Sequence, residues 1–137
     1  GVALIPAFAW SAAGAPLPAA IATLCLIALP GGSALALQNA LADRELDKSV
    51  GAKGAVVRLG RQRTLGLIAL LHGLTYLLLL VSAPTTSSPV LLAAGGLLLA
   101  TGVTLSTRVR RDLRQRGWEV SALALASCAI AIALSYD

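Results

Sequence analysis

Three long segments without a charged side chain constrain the fold of this chain more than any other feature. Residues 1–42, 64–107 and 120–136 contain no Asp, Glu, Lys or Arg. About 20 consecutive apolar residues are enough for a helix to cross the hydrocarbon core of a bilayer. Only 12% of all residues are charged, against roughly 25% in an average soluble domain. The sequence therefore predicts an all-α integral membrane protein, a multi-pass transmembrane helical bundle, and argues against a water-soluble globule.

Proline, glycine and charged residues divide the chain into predicted spans and loops within a single helical unit, residues 1–137. The first apolar run is too short for a complete crossing, because 13 residues at about 1.5 Å each cover roughly 20 Å. Pro30 and the two glycines that follow it predict a kink or a close helix contact. We predict a partial span over residues 1–13, complete spans over 16–41, 64–83, 90–107 and 117–136, and charged loops over 43–63 and 108–116.

The charges form two basic islands that we expect on one side of the membrane. Residues 43–63 hold six basic and three acidic groups, and residues 108–119 hold five and two. Two predicted spans separate the islands, so both face the same side, and the positive-inside rule places that side in the cytoplasm. The arginine-rich, Ala/Leu-rich composition indicates a bacterial inner membrane. Because the islands flank apolar spans, nucleic-acid binding is not expected.

A regularly spaced polar motif lies at the cytoplasmic end of the predicted span 16–41. Asn39, Asp43 and Asp47 stand four residues apart, which stacks their side chains along one helix face. Two carboxylates one turn apart repel each other unless something positive lies between them. Carboxylate and amide oxygens are ligands that Mg²⁺ prefers and often shares with substrate phosphates. The motif predicts a divalent-cation site, with salt bridges to neighbouring Arg and Lys residues as the alternative.

A glycine-punctuated basic loop follows the motif and leads to the next span. Lys53 and Arg58, and with them Arg61, could reach a diphosphate held by the metal ion. The alternative is that these residues only obey the positive-inside rule.

The combined pattern resembles a known family of membrane enzymes. The motif consists of Asn39, Asp43, Asp47 and Gly51, and the loop after it ends in Val-Arg-Leu-Gly at residues 57–60. This pattern resembles the second aspartate-rich motif of the UbiA superfamily of membrane prenyltransferases. Within it, the loop is most similar to the branch that prenylates 1,4-dihydroxy-2-naphthoate in menaquinone synthesis. Gly54 stands where that branch usually has Thr, so the motif does not identify the prenyl acceptor.

This resemblance implies a function, a cofactor and site residues. The family transfers a prenyl group from an isoprenyl diphosphate to a lipophilic, usually aromatic, acceptor with the help of Mg²⁺. Carried over to this chain, Asn39, Asp43 and Asp47 would bind the metal ion, and Lys53 and Arg58 the diphosphate. The resemblance covers about half of the family's nine helices, and no first aspartate-rich motif occurs in this sequence. We therefore expect this chain to need the N-terminal half of the family's fold, which either a longer form of the same chain or a second chain would supply.

Two rival functions remain open at this point. A UbiA-type terpene cyclase would use the same motif, and a non-enzymatic membrane assembly or transport protein would use the two aspartates only in salt bridges. Within the spans, we interpret His72 as a neutral histidine bonded between helices and Cys25 and Cys128 as small packing residues. Gly95, Gly96 and Gly102 predict close helix contacts.

Overall fold

The computed structural model describes residues 19–133, which form five helices without any strand between them. The helices are α1 (Ala19–Ser49), α2 (Ala55–Leu59), α3 (Arg61–Ser82), α4 (Pro89–Ser106) and α5 (Arg111–Ala133). The predicted partial span over residues 1–13 lies outside the described residues. The all-helical fold predicted from the charge-free segments is confirmed.

Three of the described helical segments are long and apolar enough to cross a membrane. They are Cys25–Ser49, Arg61–Ser82 and Pro89–Ser106. Large apolar side chains on their outer surfaces are widely exposed, such as Leu70 at 67% and Leu97 at 72%. Lipid tails are as apolar as a protein interior and can surround such side chains. This exposure therefore fits a bundle embedded in a bilayer. These properties are those of a multi-pass helical membrane protein.

The helices continue beyond the apolar runs into the charged islands. α1 extends to Ser49, and α5 already begins at Arg111. A helix can leave the bilayer without ending, because its backbone hydrogen bonds are internal and do not depend on the solvent. Gly51 and Gly60 then turn the chain, each with a positive φ (75° and 77°) that glycine adopts without strain. Most of the residues predicted as charged loops are therefore helical, at the ends of α1, α3 and α5 or in the short helix α2.

Close backbone contacts join α4 to α5, the most extensively packed pair of helices. A Cβ atom added to Gly102 would lie 2.7 Å from the carbonyl oxygen of Gly117, and one added to Gly95 would collide with Cys128. The contact predicted at Gly102 and Gly95 is thus present, and Cys128 packs as a buried core residue. Gly31 similarly lets α1 approach Thr75 of α3. Glycine at these positions sets the distances between the helices.

A buried polar network links four helices between two apolar clusters. Gln38 Nε2 donates to Ser106 Oγ at 2.9 Å and to Ser121 Oγ at 3.1 Å. Gln38 Oε1 is hydrogen-bonded to His72 Nε2 at 2.8 Å. As predicted, His72 bonds across helices, here from α3 to α1. Because unsatisfied polar groups are costly inside a membrane protein, this network favours one rotation of each helix.

Candidate functional site

The polar motif lies on the face of α1 that points away from the core. Gln38, Leu41 and Ala42 are buried against the other helices, whereas Asn39 is exposed and Asp43 and Asp47 are partly exposed. This alternation follows from the 3.6-residue period, which turns the i, i+4, i+8 series away from the buried face. The three oxygen-bearing side chains are therefore accessible from outside the bundle.

Asp47 is the one acidic side chain that lines a cavity of about 560 Å³ with otherwise uncharged walls. α1 and α3 contribute small and apolar side chains along its length, among them Leu37, Leu67 and Leu71. Residues of the loop and of α2, from Gly54 to Val57, form another part of its wall. Within residues 19–133, the Asp47 carboxylate makes no ion pair. The cavity has an anionic group at one end and an apolar body.

Asp43 has a different environment from Asp47. Arg111, the first residue of α5, forms an ion pair with it and donates from both Nε and Nη2 to the same oxygen, Oδ1. Among the described residues, the second oxygen of Asp43 has no hydrogen-bond donor. The pair is open to solvent, since 64% of the Arg111 side chain is exposed. Asp43 thus forms a salt bridge, but with an arginine distant in sequence and not with a neighbouring Arg or Lys residue.

A buried arginine holds the start of α5 against the motif helix. Arg114 is 4% exposed and forms an ion pair with Glu45, two residues beyond Asp43. It also donates to the carbonyl oxygens of Ala42 and Val109, at 3.4 and 2.7 Å. A guanidinium group can serve several acceptors at once because it carries five N–H donors in a fixed plane. Arg114 therefore fixes the position of Arg111 relative to Asp43.

The two basic residues carried over from the family motif are exposed and flank the cavity. Lys53 precedes Gly54, and Arg58 follows Val57, and both Gly54 and Val57 line its wall. Neither forms an ion pair with a described acidic residue. Lys53 lies on the loop that follows Asp47 and Arg58 on α2, and within residues 19–133 neither charge is paired.

The motif supplies oxygen donors of the kind that Mg²⁺ takes, but its side chains do not enclose a metal site. No group of three or more His, Cys, Asp or Glu side chains is placed to hold a metal ion anywhere in residues 19–133. The motif offers two carboxylates and one amide, all accessible and all oxygen donors, of which Asp47 is unpaired. Mg²⁺ keeps several waters and commonly takes one or two protein carboxylates together with substrate phosphates. The donor set is therefore suited to a metal ion that arrives with a diphosphate.

The sequence did not predict that Arg111, Arg114 and Glu45 lie beside the motif. Arg111 and Arg114 were included only in a basic loop, and their acidic partners are 68 and 69 residues earlier. One signal was available for Arg114, because it continues the spacing of the small buried residues of α5, Gly117, Ser121 and Ala124. An arginine in register with a buried stripe indicates a paired, structural charge. No comparable signal distinguishes Arg111 from the exposed Arg110.

Comparison with known proteins gives one match. The sequence model of the UbiA prenyltransferase family matches residues 1–128, which is most of the chain. No curated protein and no solved structure matches the chain significantly.

Proposed function

This chain belongs to the UbiA prenyltransferase family, and we propose that it acts in the Mg²⁺-dependent transfer of a prenyl group. The donor is an isoprenyl diphosphate, and the acceptor is an aromatic quinone precursor. In this proposal the chain supplies the second aspartate-rich motif and about half of a nine-helix fold. The basic ends of its helices face the cytoplasm from the inner membrane.

One observation supports a prenyl diphosphate as the donor. The cavity beside α1 has the unpaired carboxylate of Asp47 and uncharged, largely apolar walls. An isoprenyl diphosphate has the matching form, because its charged head needs a cation and its tail needs an apolar surface. The alternative in which both aspartates only form salt bridges does not account for Asp47, which makes no ion pair within residues 19–133.

In the proposed reaction, this chain binds and orients the leaving group. Asn39, Asp43 and Asp47 would hold the metal ion, and Lys53 and Arg58 would contact the phosphate oxygens. Bound Mg²⁺ would stabilise the negative charge that develops on the departing diphosphate. The apolar walls would keep the allylic end of the prenyl chain away from water. A ring carbon of the acceptor, and not a water molecule, would then form the new C–C bond as the C–O bond to the diphosphate breaks, and the ring would release its proton to solvent.

A transfer assay in membranes tests this function. Membranes that contain the full-length natural protein are incubated with radiolabelled geranyl diphosphate, Mg²⁺ and 1,4-dihydroxy-2-naphthoate, and the labelled lipid is separated by chromatography. We expect an acceptor-dependent product that falls at least about ten-fold in Asp47→Asn, since the loss of even an indirect metal contact has an effect of that size. Asp112→Asn, which changes an acid of the other basic island, is the matched control.

The same assay distinguishes the rival functions. A labelled hydrocarbon formed without any acceptor would identify a cyclase instead. No labelled product in either case, from a protein that is folded and complete, would contradict the enzymatic proposal.

A further inference from the structure

We propose that Arg111 is a diphosphate-binding residue that contacts the phosphate group beside Asp43. The inference rests on the proposed function and adds to the site the first residue of α5. The aspartate-rich motif of residues 39–51 contains no residue of α5, so the assignment comes from the geometry alone.

The hydrogen bonds of Arg111 leave most of its donors unused. Its Nε and one N–H of Nη2 both point to a single oxygen of Asp43. A guanidinium group has five N–H donors, so three remain available on a side chain that is largely exposed to solvent. These donors lie on the outer part of the guanidinium plane, where a second oxyanion can be bound by a fork of two parallel hydrogen bonds.

The second carboxylate oxygen of Asp43, Oδ2, is also available for a further contact. It accepts no hydrogen bond from a described residue, so it can contact a cation while Arg111 stays in place. A metal ion beside a guanidinium group is repelled by it, and a phosphate between them attracts both cations and outweighs this repulsion. An isoprenyl diphosphate also carries more negative charge than one Mg²⁺ neutralises. Arg111 therefore favours the metal ion with the diphosphate over the metal ion alone.

The neighbouring arginines are engaged in other contacts. Arg110 donates from Nε and Nη2 to both oxygens of Asp112, at 3.1 and 2.7 Å. That hydrogen-bonded pair lowers the pKa of Asp112 from its usual value. Arg114 is buried and has three acceptors, the Glu45 carboxylate and two carbonyl oxygens. Arg111 is the arginine of this trio whose partner is a motif residue.

The position of Arg111 is also fixed, which lowers the entropic cost of binding a phosphate. Arg114, one helical turn further along α5, attaches this helix to Glu45 and to the Ala42 carbonyl on either side of Asp43. Lys53 and Arg58 follow Asp47 in the chain and stand next to residues that line the cavity beside Asp47. In this proposal Arg111 contacts the diphosphate at the Asp43 end of the acidic face of α1, defined as Asn39, Asp43 and Asp47, and the two other basic residues contact it at the Asp47 end.

The experiment separates binding of the metal ion from binding of the diphosphate. Full-length protein in detergent is titrated with Mn²⁺ alone, followed by electron paramagnetic resonance, and with radiolabelled geranyl diphosphate at saturating Mg²⁺. For Arg111→Ala we expect diphosphate binding to weaken roughly ten-fold, the size expected for loss of charge-assisted hydrogen bonds, while Mn²⁺ alone binds equally well or better. Arg111→Lys should recover part of the loss, and Arg110→Ala is the matched control with unchanged binding.

Each other outcome overturns the inference. If Arg111→Ala weakens Mn²⁺ and diphosphate binding to the same extent, Arg111 only supports the shape of the site. If Arg111→Ala and Arg110→Ala bind the diphosphate with equal affinity, Arg111 does not contact the diphosphate. Failure of the proposed function looks different, because the unmodified protein would then bind no diphosphate, or would bind it without regard to Asp43 and Asp47.

Discussion

Among the described residues, Gln38 connects α1 to three other helices through a single side chain. Its amide joins His72 of α3, Ser106 of α4 and Ser121 of α5 to α1, and it is 1% exposed. The sequence indicated that His72 bonds between helices, but not to which residue. The partner is 34 positions away. To identify it, one must know how α1 and α3 are each rotated about their own axes. The periodicity of the sequence does not determine this rotation when apolar residues surround both helices.

Replacement of Gln38 by leucine should therefore destabilise the bundle. Leucine has a similar volume but leaves His72 and the hydroxyl groups without their partner, which we expect to cost about 1 to 2 kcal/mol. Gln62→Leu, at an exposed position in the first turn of α3, is the matched control and should change little. Unfolding of the purified protein in mixed detergent micelles measures both variants, and equal stability of the two would show that the network is unimportant.

At the scale of helices and turns, apolar runs predicted where helices exist but not where they end. A charge-free segment marks the part of a helix within lipid, and the helix can continue into water, as α1 does through Asp43 and Asp47 to Ser49. The turn after it depends on Gly51, whose positive φ lets the Ala52 N–H donate to the Asp47 carbonyl oxygen at 2.8 Å. This closes the helix directly behind the motif.

Gly51→Ala and Gly60→Ala should each destabilise the protein by about 1 kcal/mol, because an L-residue is strained at positive φ. Both sites have open space around the position of an added Cβ, so crowding contributes nothing. Gly54→Ala is the matched control: this position is equally open, but its φ is −59°. We expect Gly54→Ala to be neutral or slightly stabilising in thermal unfolding; a loss equal to that of Gly51→Ala would rule out backbone strain as the cause.

At the scale of the whole molecule, the two basic islands meet at one end of the bundle. Ion pairs join Asp43 to Arg111 and Glu45 to Arg114, and Arg61 donates to the Thr107 carbonyl. Charge patterning placed both islands on one side of the membrane, because two spans separate them. It could not pair individual residues, since exposed charges follow no periodic pattern and several arginines compete for each carboxylate.

The acidic face of α1 combines with the cavity at this same end to form the candidate site. The spacing of Asn39, Asp43 and Asp47 predicts a common face. In the structure all three are at least partly exposed, with Asp43 paired to Arg111 and Asp47 at the cavity. The cavity beside Asp47 was not predictable, because its walls come from α1, α2 and α3 and depend on how closely these helices pack.

We propose that the acidic face of α1 binds a prenyl diphosphate through Mg²⁺. The most direct test is equilibrium binding of radiolabelled geranyl diphosphate to the detergent-solubilised full-length protein, with Mg²⁺ or with EDTA. We expect binding that requires Mg²⁺ and is lost in both Asp43→Ala and Asp47→Ala, while Asp112→Ala binds normally. Binding that is equal in all three variants, or equal with and without the metal ion, would contradict the claim.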